Sequence, residues 1–273
     1  MTYSRQTVLM CAPDYFGVDY VINPWMTDGY GKTNHNLAIH QWEQLQQALA
    51  QHVDLAFVPP QKRLPDMVFT ANAGLVLGTK AIASRFRSPE RQGEEVFFRD
   101  WFQQAGFTLL DWPQEIPFEG TGDALFDRSE AILWAGHGFR SDAAAAPLLE
   151  KLLGRRTIPL RLIDPRFYHL DTCFCPLAGG YLMYLPQAFD AESQARITDI
   201  VPEHKRIVVD LKDALLYACN AVDLDKHVFF NGASDALQDR LREAGFTPAL
   251  LPLSEYMKSG GAAKCLTLKL VEE

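Results

Sequence analysis

Residues 168–186 read YHLDTCFCPLAGGYLMYLP and place His169, Asp171, Cys173 and Cys175 within seven positions. Three chemistries use such a group: a metal site, a redox dithiol, or half of a catalytic site whose nucleophile lies elsewhere. Zinc is poorly served, because one residue separates Cys173 from Cys175 and no second C-x₂-C or H-x₃₋₅-H set accompanies them. A redox pair would have C-x-x-C spacing inside a thioredoxin-like pattern. Both cysteines are therefore expected to pack beside a strand as small apolar residues. His169 and Asp171 are different. In an extended segment i and i+2 project to one face, so an imidazole and a carboxylate can share a strand mouth. A structural histidine bonded to a nearby acid would satisfy the same spacing.

The elements that must position this pair form a repeat. A small or polar residue, an apolar strand, a turn and a second apolar strand recur as NAGLVLGTKAIASRF from Asn72 and GDALFDRSEAILWAGHGF from Gly122. The pattern returns as DTCFCPLAGGYLMYLPQAF from Asp171 and CNAVDLDKHVFFNG from Cys219. The period is roughly 50 residues, as in propeller-like arrays. KCLTLKLVEE follows at about the same distance, and TVLMCAP near the N-terminus is its expected partner, so both chain ends close a fifth unit.

Amphipathic stretches lie between the strand pairs. HNLAIHQWEQLQQALAQH spaces Leu37, Trp42, Leu45 and Leu49 for a helix. EEVFFRDWFQQAG does so with Val96, Phe97, Trp101 and Phe102, and stops at Gly106. GASDALQDRLREAG offers Ser234 or Asp235 as N-cap and Gly245 as its end. Residues 11–33 break the pattern. They are aromatic and weakly periodic, and are expected to form a lid loop.

A chain of 273 residues, 48% hydrophobic and 22% charged, can bury a sizeable core. Its net charge of −8 argues against nucleic acid or an anionic membrane as partner. MTYSRQTVLMCAP does not read as a secretory leader, and no apolar run reaches the roughly 18 residues of a membrane helix. Five cysteines read as reduced thiols of a cytoplasmic protein. Cys11 and Cys219 are expected in the core. His35, His40, His52, His204 and His227 are expected at the surface or at helix caps.

Four further motifs occur in order, one per repeat unit: FTANAG at 69–74, FEGTGD at 118–123, HLD at 169–171 and GGAAKCLTL at 260–268. They resemble the F-T-R-D, E-G-G-D, H-x-D and glycine-rich approach to a C-terminal cysteine of the amidinotransferase, or pentein, superfamily of guanidine-modifying enzymes. DYVINPWM, SRFRSPERQGEE, LWAGHGFRS, RFYHLDTCFCPL and KSGGAAKCLTL are most similar to the catalytic region of cyanobacterial-type arginine dihydrolases. Such chains are often labelled dimethylarginine dimethylaminohydrolases. The resemblance implies an α/β fold, a five-bladed α/β propeller with pseudo-fivefold repeats, and residues 1–273 as one catalytic domain.

It also implies roles. A guanidinium is planar, cationic and a poor electrophile, so its hydrolysis needs a soft nucleophile, a proton for the departing amine and acids that fix the plane. By resemblance, Cys265 attacks to form a covalent S-alkylthiouronium, and His169 protonates the leaving ammonia and then activates water. Glu119 and Asp171 hold guanidinium nitrogens, and Glu119 orients His169. Arg91 and Arg140 clamp an α-carboxylate, and Asn23 matches a substrate-contacting position. Asp123 either contacts substrate or braces its own turn. No metal or organic cofactor is expected.

Two departures from the family pattern bear on function. The longer dihydrolases carry a region resembling ornithine cyclodeaminase, whereas this chain stops eight residues after Cys265, as expected of a stand-alone enzyme or an excised domain. Asn72 stands where arginine deiminases place a substrate-binding aspartate; it either contacts substrate or braces the turn into NAGLVL. The expected partner is a small molecule, L-arginine or a methylated arginine, and a homo-oligomer is compatible with the sequence. A dihydrolase yields ornithine, carbon dioxide and ammonia. A deiminase stops at citrulline, and a dimethylarginine hydrolase gives citrulline plus dimethylamine. A non-catalytic arginine-binding module is the alternative from another class.

Overall fold

The computed structural model describes residues 6–272. Residues 1–5, part of the stretch weighed above as a leader, and residue 273 of the final expected strand lie outside them. Five three-stranded sheets repeat one plan. β1 (Thr7–Cys11) runs parallel to β2 (Asp54–Val58), with the helix His35–Ala50 crossing between them. A parallel pair needs such a crossover, whereas an antiparallel pair needs only a tight turn.

The next four sheets each combine a hairpin with a parallel third strand. β3 (Gly74–Leu77) and β4 (Lys80–Ala83) are antiparallel, and β5 (Thr108–Leu109) joins β4 in parallel. β6 (Ala124–Phe126), β7 (Ile132–His137) and β8 (Arg156–Arg161) repeat the arrangement. So do β9 (Phe174–Leu177), β10 (Tyr181–Tyr184) and β11 (Arg206–Val208). β12 (Val222–Leu224), β13 (His227–Phe230) and β14 (Thr247–Leu250) form the last hairpin sheet. The crossovers contain the helices Glu95–Gln104, Ala145–Leu153, Ala191–Ile200 and Asp235–Glu243. β15 (Leu268–Lys269) then pairs antiparallel with β1, Val8 opposite Lys269 and Leu9 opposite Leu268. This is the five-bladed α/β propeller that the resemblance implies, with its first blade closed by segments from both ends of the sequence.

Each hairpin sheet's first strand is entered through a short turn, and these turns bond to one another in a closed ring. Thr121 Oγ1 donates to Ala71 O at 2.9 Å, and Leu170 N donates to Asp123 Oδ1 at 3.0 Å. Asn220 Nδ2 donates to Asp171 O at 3.0 Å, and Lys264 N to Asn220 O at 3.2 Å. Ala71 N donates to Cys265 O at 3.1 Å and completes the circuit. Between blades the interior is aromatic and aliphatic. Trp134, for example, packs on Phe174 with ring centroids 5.2 Å apart, and both are fully buried. Each such side chain stabilises the fold by roughly 1.5–3 kcal/mol.

The differences from the sequence reading have physical causes. The parallel strand of each sheet was not expected; β2 and β14, for example, have largely half-buried or exposed side chains without apolar alternation. In the helix His35–Ala50, Ala38 rather than Leu37 faces inward with Trp42, Leu45 and Leu49. In Glu95–Gln104 the buried pair is Phe98 and Phe102, four apart, while Val96 is exposed. Ser234 is the N-cap of Asp235–Glu243, accepting from Leu237 N. His52 and His227 are not isolated surface residues, since their rings lie 4.3 Å apart. Residues 11–33 are not wholly irregular: Pro24–Gly29 is helical, with Pro24 in its first turn and Asn23 as cap. Among the described residues no helix is long and apolar enough to cross a membrane.

Candidate active site

Cys265 lies in the turn before β15 and is 3% exposed. Its thiol donates toward the Asp171 carboxylate, with Sγ 3.5 Å from Oδ2 and 3.7 Å from Oδ1. Burial pushes the thiol well above its ordinary pKa, and the negative Asp171 adds to that. Asp171 is itself pushed up to about 6 by burial, against the opposing pull of Lys264 and His169. A neutral thiol therefore faces a carboxylate that titrates near neutrality.

His169 precedes, and Asp171 lies within, the 3-10 turn Leu170–Thr172 before β9, so the segment is not extended and the two side chains are not carried on one strand face as the i, i+2 reading supposed. His169 Nε2 lies 2.8 Å from Glu119 Oε2. The same oxygen accepts from Arg140 Nη1 at 3.2 Å, and Glu119 Oε1 accepts from Arg87 N at 3.2 Å. Burial alone would raise the Glu119 pKa, but Arg140 and the bond to His169 outweigh it and hold the carboxyl well below the usual range. Gly122 makes this packing possible. A Cβ there would sit 2.4 Å from Asn72 Nδ2 and 3.3 Å from the His169 ring.

Cys265, His169, Asn23, Asn72, Arg91 and Arg140 line one narrow cavity. Glu119 and Asp171 stand directly behind His169 and Cys265. Asp123 is set back from the cavity lining. Its carboxylate accepts from Ser141 N, Ser141 Oγ and Leu170 N, so it braces neighbouring turns rather than its own.

The other polar side chains are already bonded. Arg91 Nε and Nη2 grip Glu94 at 2.8 and 2.7 Å, Nη1 donates to Asn72 Oδ1 at 2.8 Å, and Nη2 also reaches Asp66 O at 3.1 Å. One of its five N–H groups is left for a ligand. Arg140 keeps more capacity: it donates to Glu119 and to Ile22 O and lies over the Tyr168 ring, 4.6 Å from its centroid. Asn72 Nδ2 donates to Glu119 O at 3.2 Å. Asn23 caps its helix through Oδ1 and donates to Ser259 O at 3.0 Å. Gly260, beside it, has φ +86, and a Cβ there would lie 2.7 Å from Tyr168 Oη.

The sequence reading missed several residues of this site. Asp66 is a buried lining carboxylate that accepts from Tyr20 Oη at 2.9 Å and Ser259 Oγ at 3.1 Å. Burial raises its pKa against the pull of Arg91. Nothing in LPDMV distinguishes it from a helix-start acid. Asn220, which donates to Cys265 Sγ at 3.1 Å, was legible from the repeat. It stands two residues before β12, as Asn72 stands two before β3. Cys173 and Cys175 are buried separately, Sγ toward Leu170 O and Ala221 O. Among the described residues, no three His, Cys, Asp or Glu side chains gather as a metal site. A larger groove, lined by Trp25, Leu215 and Met257, contains no comparable cluster of reactive groups.

A thiol, an imidazole–carboxylate pair and further buried acids around one small cavity can support covalent chemistry on a planar cationic electrophile. Comparison with known proteins is consistent with that capacity. Residues 13–272 match the family model described as N,N dimethylarginine dimethylhydrolase, eukaryotic. The chain is 52% identical, over 97% of its length, to the bifunctional arginine dihydrolase/ornithine cyclodeaminase ArgZ of Synechocystis sp., but spans only 38% of that relative. It is 39% identical to the N(G),N(G)-dimethylarginine dimethylaminohydrolase of Mycobacterium tuberculosis, covering 96% of this chain and 84% of that one. A crystal structure of the N-terminal domain of ArgZ, a cysteine-to-serine variant bound to substrate, superposes with a TM-score of 0.97, 52% identity and 98% coverage of both chains.

Proposed function

Because the chain belongs to the N,N dimethylarginine dimethylhydrolase family, we propose that residues 1–273 form one catalytic domain that hydrolyses the guanidino group of L-arginine to ornithine, carbon dioxide and ammonia. The observation that carries this reading is the contact of the Cys265 thiol with Asp171 on the same small cavity as the His169–Glu119 pair. The close similarity to an arginine dihydrolase domain supports arginine as the substrate.

In this mechanism Asp171 and Glu119 receive the guanidinium N–H groups, and Arg140 takes the α-carboxylate with the one remaining N–H of Arg91. The bound cation offsets the carboxylate beside the thiol, so the proton passes from Sγ to His169 when substrate arrives. The sulfur lone pair then forms the C–S bond. One amino group departs as ammonia with a proton delivered by His169, whose Nε2 is held by Glu119 and whose Nδ1 remains to exchange protons. Water, deprotonated by His169, attacks the thiouronium carbon, and the C–S bond breaks with its electron pair returning to sulfur. A second round at the ureido carbon releases the second ammonia, and the resulting carbamate loses carbon dioxide to leave ornithine.

A second reading, dimethylarginine hydrolysis to citrulline and dimethylamine, is favoured by the relative of which this chain covers 84%. Incubation with arginine, dimethylarginine and citrulline, with products resolved by mass spectrometry, separates the two. Ornithine from arginine supports the proposal. Citrulline plus dimethylamine, from the methylated substrate alone, replaces it with the second reading.

A further inference from the structure

Asn220 sits at the rear of the candidate site, fully buried. Its Oδ1 accepts from Ala262 N at 3.0 Å and from Cys265 N at 3.2 Å. Two backbone donors on one atom fix the orientation of the amide, so the atom facing the sulfur is nitrogen. That Nδ2 donates to Cys265 Sγ at 3.1 Å and to Asp171 O at 3.0 Å. Both of its N–H groups and its oxygen are therefore committed, and one of the four bonds ends on the sulfur itself. The turn that carries Asn220 is tightly determined. Tyr217 adopts φ +59, which a non-glycine residue holds only under constraint, and its buried ring packs 4.7 Å from Trp25.

We propose that Asn220 is a further catalytic residue, a fixed hydrogen-bond donor that stabilises the Cys265 thiolate both when it forms and when it is expelled at the end of each hydrolytic round. The inference rests on the reading of Cys265 as nucleophile and adds the group that bears the sulfur's charge. A hydrogen bond to an ion is stronger than one to a neutral acceptor. The Asn220 N–H thus favours the thiolate over both the thiol and the carbon-bound sulfur of the intermediate. The requirement is pressing because burial and the Asp171 carboxylate disfavour a negative sulfur, while the Ala262 backbone, Asn220 and the Lys264 charge favour one. His169 lines the same cavity. In the second half of each round the electron pair of the breaking C–S bond returns to sulfur, and Asn220 is already placed to receive it without rearrangement.

The test is the pH dependence of iodoacetamide alkylation at Cys265, read on its own peptide by mass spectrometry, in wild type and Asn220→Ala. The expected result is a thiol pKa raised by about one unit or more and a fall in kcat larger than any change in KM. An alkylation profile unchanged in a folded variant overturns the proposal. Should Asn220→Ala fail to fold, the wild type decides. The side-chain amide proton of Asn220, observed by ¹⁵N NMR, should move as Cys265 titrates and stay fixed in Cys265→Ala; no movement in wild type overturns it. Neither readout uses arginine. A protein that leaves arginine unchanged would refute the proposed activity and leave this inference to be judged on its own data.

Discussion

Arg91 donates to the Asn72 side-chain oxygen over 2.8 Å, and Asn72 in turn donates to the backbone oxygen of Glu119. A side chain that must both accept and donate here is an amide. Aspartate would satisfy Arg91 but turn an unprotonated oxygen toward Glu119 O. It would also repel the carbonyl oxygen of a bound ureido group. Asn72→Asp should therefore shift products from ornithine toward citrulline and cost about 1–3 kcal/mol in stability. Product ratios and urea denaturation check both parts. Citrulline as the sole product of the wild type would remove the premise.

Cys265→Ala should lower turnover of arginine by several orders of magnitude, as loss of a nucleophile within a coupled unit does. The fold should survive, because the ring bond at this turn uses the backbone oxygen of Cys265 rather than its sulfur. Steady-state kinetics beside a thermal melt would show it. A variant retaining a tenth of wild-type activity would dismiss this thiol as nucleophile.

The pH dependence follows from Asp171, raised to about 6. It must be ionised to hold a guanidinium, so kcat/KM should climb through an acidic limb near pH 6. The stability effect has the opposite sign. The folded state keeps a proton that an unfolded aspartate releases near pH 3.9. This contribution is full below that pH and lost as pH rises through about 6. Glu94, raised to about 7 mainly by burial, acts in the same direction. Lys264→Met removes a cation that lowers the Asp171 pKa, so its activity limb should move upward. A limb that stays in place would exclude the assigned coupling.

Residues 11–33 include the helix fastened over the cavity. Trp25 Nε1 donates to Arg166 O at 2.8 Å, and Arg140 holds Ile22 O at 3.1 Å. Arginine engaging Arg140 and Asn23 should slow amide exchange across this segment. Exchange measured with and without arginine decides the matter; identical rates would show that the segment is no lid.

Much of this molecule could be read in advance because the repeat is carried by buried hairpins. NAGLVL and CNAVDL advertise their strands by apolar runs, and β15 was matched to β1 from opposite ends of the sequence. The parallel strands escaped; in β2 and β14 most side chains are half or fully in solvent. Within the site, His169 and Cys265 were visible as reactive residue types in motifs. Asp66 was not singled out, because its importance comes from what folding places against it; Asn220 was passed over although it stands before β12 as Asn72 stands before β3. Arg91 shows the opposite error of emphasis. Its type suggested a free clamp, whereas in the fold four of its five N–H groups are spent on Glu94, Asn72 and Asp66.

The pairing of β15 with β1 has a consequence for how the protein comes into being. Val8 and Lys269 are paired in space but lie far apart along the chain. His169, Glu119 and both arginines leave the ribosome well before Cys265. Contacts of such long sequence separation form late, after the loop between them has been ordered. On the proposed reading, the nascent chain holds His169 and the acids before Cys265 can join them as nucleophile. The event that closes the first blade, the pairing of β15 with β1, would then also bring the proposed nucleophile to its partners.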